Sequence, residues 1–113
     1  MKTKFRIDGV DNIIHIETAD TFFKRFLGLM GRKKLSPSEG LLITPCNSVH
    51  MMFMRFSIDV IYLDDNMKVL KIVKSLTTWI GLSACLKAKS VVEVATGEAD
   101  RLGICEGMRL VEV

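Results

Sequence analysis

The chain has 113 residues, 49% of them hydrophobic and 26% charged, with a net charge of +3. That composition supports one hydrophobic core and argues against disorder, and no apolar run approaches the ~18 residues of a membrane span. The 16 basic residues are scattered rather than clustered with aromatics on one face, which speaks against nucleic-acid binding. At this length a single domain over residues 1–113 is expected.

Residues 3–8 and 12–18 alternate apolar and polar side chains. Phe5 and Ile7 oppose Lys4, Arg6 and Asp8, and Ile14 and Ile16 oppose His15 and Glu17. With Gly9 to Asn12 as the turn, this reads as an opening β-hairpin, with His15 on its polar face. The N-terminus lacks the continuous apolar stretch of a signal peptide, so a cytoplasmic protein is expected. Three cysteines with no CxxC pair fit a reducing compartment, and Cys85 and Cys105 sit among small hydrophobes as packing residues.

The period then changes. Phe22, Phe23, Phe26, Leu27 and Met30 fall on one helical face, which predicts a short helix near residues 20–30, ended by Gly28 and Gly31. Residues 32–40 carry turn chemistry. Strands are predicted at 41–44, around 48–54 and at 58–63. A turn at 64–66 leads to another strand at 67–73. Residues 75–89 lack a clean period and read as a long loop or poor helix. Residues 90–95 form a strand, 97–103 a turn or single helical turn, and 108–113 the last strand. About seven short strands with one helix predict a mainly β domain, a β-sandwich or small barrel.

Several motifs recur in this order in a known family. They are Phe26-Leu27-Gly28-Leu29-Met30-Gly31-Arg32, Gly40-Leu41-Leu42, His50-Met51, Ile58-Asp59-Val60, the 64–69 hairpin and Val92 to Gly97. The chain resembles, over roughly residues 18–113, the small prokaryotic family catalogued as domain of unknown function 192. The resemblance implies a sandwich-like β fold and no established activity. Many members carry tryptophan where His50 stands and Lys-Asn-Thr where Met52-Phe53-Met54 stands.

Chemistry-bearing residues concentrate in 46–62, which holds Cys46, His50, Met51, Met52, Met54 and Asp59. Asp59 and Glu93 are each threaded through strands that are apolar on both faces. Burying either acid unpaired costs several kcal/mol or raises its pKa. Arg25, Arg32 and Arg55 are candidate partners, and a purely structural role as a brace on an arginine or loop amide is the plainer alternative. The functional reading places Arg25, Arg32, His50, Asp59 and Glu93 around one polar concavity, with residues 75–89 at its rim. That predicts a module binding a small polar or anionic ligand, or a protein partner through the 75–89 loop, where Trp79 is a candidate anchor. An enzyme would use Asp59 or Glu93 as general base with Arg32 as anion clamp. No nucleophile elbow, phosphate loop or dinucleotide fingerprint accompanies them, so binding is favoured over catalysis and no cofactor is expected. If 46–54 is a regular strand, Cys46, His50, Met52 and Met54 share one side and form a ligand set suited to soft Cu(I).

Overall fold

The computed structural model describes residues 2–19, 35–51, 56–79 and 81–113. Among these residues it forms nine strands: β1 (Lys2–Ile7), β2 (Ile13–Ala19), β3 (Glu39–Ile43), β4 (Ser48–His50), β5 (Ile58–Leu63), β6 (Val69–Leu76), β7 (Leu82–Ala84), β8 (Ser90–Ala95) and β9 (Leu110–Glu112). One helical turn, α1, spans Glu98–Arg101. The mainly β expectation holds. The helix expected near residues 20–30 lies outside the described residues.

Seven strands form one sheet in the order β6-β5-β8-β3-β2-β1-β9, and β4 and β7 pair as a separate ribbon. The opening hairpin is present, with Phe5 opposite Ile14. β2 and β3 run parallel, and the other pairings in the sheet are antiparallel.

The sheet curls into a half-barrel, and one end closes. Val69 N–H donates to the Met108 carbonyl at 2.7 Å, and Leu110 N–H donates to the Met67 carbonyl at 3.0 Å. These bonds tie the start of β6 to the start of β9, the two edges of the sheet. Ile7, Ile14, Ile16, Leu42, Ile61, Leu63, Val69, Val92, Val94 and Leu110 fill the inner face, with Leu102 and Ile104 beside them. Period-2 alternation turns their neighbours outward. There Leu41, Ile43, Ile58, Val60, Tyr62 and Val91 build a second core with Val49 and Met51 from the ribbon side. A core on each face explains why all six residues of β5 are buried.

Residues 75–89 depart from expectation. They include the end of β6 and all of β7, which pairs with β4 so that Val49 stands opposite Ser83. The weak period arises because Leu82 points out of the ribbon, 77% exposed. Gly81 fixes the approach to β7. A Cβ there would lie 2.3 Å from the Thr77 carbonyl oxygen and 2.7 Å from Met51 Cγ. Backbone cannot yield as a side-chain tip can, so Gly81→Ala is expected to lower stability by about 1–3 kcal/mol. Urea unfolding checks this, and an unchanged midpoint would show that the ribbon is not held by this contact.

Candidate functional site

β5 and β6 slip out of register between the pairs Ile58↔Leu76 and Val60↔Val73. Lys74 and Ser75 together therefore stand opposite Asp59, a β-bulge. Ser75 has φ 53°, in the left-handed region that favours glycine. Its amide donates to Asp59 Oδ1 at 2.9 Å. Asp59 Oδ2 accepts from the amides of Gly97 at 3.0 Å and Ala99 at 3.1 Å, at the start of α1. The Ser75 and Thr96 hydroxyls also bond to each other, and Lys74 reaches Asp100 at 2.7 Å. Asp59 thus ties one bulge and one helical turn together through backbone amides, as in the structural reading of a loop-amide brace; Arg25, Arg32 and Arg55 lie outside the described residues.

Glu93 stands one residue over in the neighbouring register. Asp59 pairs with Val94, and Glu93 with Val60. Their side chains therefore leave the sheet on opposite faces. Asp59 belongs to the inner side with Ile61, and Glu93 to the outer side between Leu41 and Val60. The expected concavity shared by both acids is not formed.

Glu93 is only 5% exposed. No hydrogen bond to its carboxyl occurs among the described residues, and burial pushes its pKa up to about 7. No buried side-chain oxygen among the described residues lacks a partner. The small exposed part of Glu93 therefore includes its carboxyl oxygens. Tyr62, next on the same face of β5, donates its hydroxyl to Ser83 Oγ at 2.9 Å. Burial raises the Tyr62 pKa, with smaller contributions from Cys46, Cys85 and Glu93. Register also puts Glu17 of β2 and Glu39 of β3 on this outer face. Glu17 lies two strands from Glu93, about 10 Å across the sheet. Their parity with the buried Ala19 and Leu41 was readable in the sequence, as was that of Tyr62 with Val60; the neighbourhood of Glu93 was not.

Arg25, Arg32, Met52 and Met54 lie outside the described residues, as does the side chain of His50. Cys46 precedes β4 instead of extending it, and its thiol donates to the Ser48 carbonyl at 3.1 Å. The regular strand assumed for the soft-metal set is thus limited to Ser48–His50. Among the described residues, no group of three or more His, Cys, Asp or Glu is placed to hold a metal ion.

The family model DUF192 (Uncharacterized ACR, COG1430) matches residues 3–111. The chain belongs to this family. A UPF0127 protein of Pyrococcus furiosus is 40% identical over 108 residues, 90% of each chain. Another from Thermococcus sibiricus is 38% identical over 94 residues, 77% of this chain and 58% of that one. A crystal structure of a protein of unknown function from Novosphingobium aromaticivorans superposes with a TM-score of 0.82 at 22% identity, covering 97% of this chain and 83% of that one. One from Sinorhizobium meliloti 1021, described as a candidate transcription regulator, reaches 0.91 at 21% identity and covers 99% and 94%. At those identities the two structures carry the fold alone.

Within this DUF192 fold the two buried acids have opposite consequences for stability. Asp59→Asn places an amide N–H₂ against N–H donors and is expected to cost about 2–4 kcal/mol in urea unfolding. A loss below ~0.5 kcal/mol would refute the tie. Glu93 has its folded pKa raised from 4.5 to about 7. Below pH 4.5 both folded and unfolded states are protonated and there is no penalty. Between 4.5 and 7 only the unfolded chain ionises, so stability falls as pH rises, by roughly 3 kcal/mol in all. Glu93→Gln should therefore match the wild type near pH 4 and exceed its stability near pH 8. Equal stability of the two proteins at pH 8 would contradict this.

Proposed function

We propose that this chain is a binding module for a small polar ligand and that Glu93 is the group that meets it. The observation that carries the reading is an ionisable acid in the outer core with no hydrogen-bond partner among the described residues and with its oxygens still reachable. Structure gains nothing from such a residue, because a leucine there would pack without the desolvation cost. A ligand offering N–H donors or positive charge would recover that cost on binding. The surroundings support recognition of a small group: Leu41, Val60 and Val91 flank Glu93 and are themselves buried, and Glu93 supplies one oriented polar anchor. No nucleophile among the described residues is hydrogen-bonded to Glu93, which favours binding over turnover.

A cytoplasmic setting completes the proposal. It is supported by Cys46, Cys85 and Cys105 forming no disulfide. No helix among the described residues is long and apolar enough to cross a membrane.

The test uses methylguanidinium and ethylammonium chlorides as probes in thermal unfolding at pH 8, with sodium chloride as ionic-strength control. Binding to the folded state raises the melting point by linkage. A rise beyond the sodium control in the wild type, lost in Glu93→Gln, is expected. Identical curves for both proteins with every salt would overturn the reading.

A further inference from the structure

A second feature lies at the seam where the barrel closes, away from Glu93. Lys68 and Arg109 form an antiparallel bridge there. The flanking bonds, Val69 to Met108 and Leu110 to Met67, make Lys68 and Arg109 a non-hydrogen-bonded pair. Side chains of such pairs are the closest across a ladder, with Cβ atoms about 4.5–5.5 Å apart. Val69 and Leu110 point into the inner core, 1% and 2% exposed, so Lys68 and Arg109 both project outward. Like charges placed directly opposite each other repel. Neither cation forms an ion pair among the described residues.

Beside them lies a hollow of about 470 Å³, lined by Asp8, Gly9, Lys68, Gly107, Met108 and Arg109. Gly9 and Gly107 have φ of 102° and 89°, so two tight glycine turns contribute to its walls. The carboxylates nearby are already engaged. Asp8 pairs with Arg6 at 3.2 Å, and Asp64 Oδ1 accepts the amides of Asn66 and Lys68 at 2.8 and 2.9 Å. The fold thus holds two adjacent cations over an open space, with the charge of Asp64 nearby but no direct ion pair to either among the described residues.

We propose that this hollow binds a small oxyanion, a phosphate or carboxylate group, between Lys68 and Arg109. The guanidinium supplies a planar fork for two oxygens and the ammonium a point charge.

Inorganic phosphate titrated into labelled protein, at constant ionic strength held with sodium chloride, tests this by amide chemical shifts. Saturable shifts at Gly9, Lys68, Gly107 and Arg109 are expected. Affinity should drop about tenfold or more in Lys68→Gln and in Arg109→Gln, which are surface changes that leave the cores intact. Asp8→Asn, which removes a negative charge from the wall, should tighten binding several-fold. An acetate titration tells whether any carboxylate suffices or phosphate is required, and saturation by either with this dependence supports the site. Shifts that never saturate, or an affinity unchanged in Arg109→Gln, would overturn it.

Discussion

One carboxylate holds the bulged end of the β5–β6 pair in shape. Asp59 is 1% exposed, and it survives there because three amides point at it. Two of those amides belong to the start of α1 and one to the bulge in β6. Without an acceptor, Ser75 would have little reason to hold a left-handed backbone, and the turn at 96–97 would lose its tie to the sheet. The bulge lies at the end of β6 opposite the seam, and pairing with β5 resumes beyond it at Ile58↔Leu76. The third attachment of this corner is ionic. Glu98, 5% exposed, accepts the Ser38 amide at 3.1 Å and pairs with Arg101.

Glu93 shows what the same chemistry does without that support. Both acids sit in central strands among valines and isoleucines, and they are neighbours in the β5–β8 register. One faces a row of donors and the other faces hydrocarbon. For Asp59, three amide N–H donors offset the loss of water. For Glu93, desolvation stands alone. A difference of one residue in parity therefore separates a structural acid from one that taxes the fold.

Much of this was legible in the sequence, and the illegible part has a common cause. Alternation placed β1, β2, β5 and β8 within a residue or so, because their side chains must satisfy two fixed faces. The same alternation showed that Asp59 and Glu93 are embedded acids. It could not show that their faces differ, since that depends on how β8 aligns with β5, a pairing across more than thirty residues. A loop-amide brace was foreseeable for Asp59, but which amides supply it was not, because backbone amides carry no mark in the sequence. β7 escaped because a three-residue ribbon strand with an exposed Leu82 offers too short a pattern to read. The adjacency of Lys68 and Arg109 came from barrel closure, again a long-range event.

A fold of this size has little stability to spare, commonly 5–15 kcal/mol. Charges that cost part of that margin without bracing anything are therefore informative. Asp59 and Glu98 pass the structural test, each with amides or an ion pair to justify its burial. Glu93 and the Lys68–Arg109 pair fail it in different ways, one through desolvation and the other through repulsion. They lie on separate parts of the molecule, one under the outer core and the other on the seam, and no described contact links them. An acid without a hydrogen-bond partner and a cation pair without a direct ion pair would attract ligands of opposite character. The physical contrast is what separates the two proposed surfaces, the acid complementary to donors and the seam complementary to oxyanions.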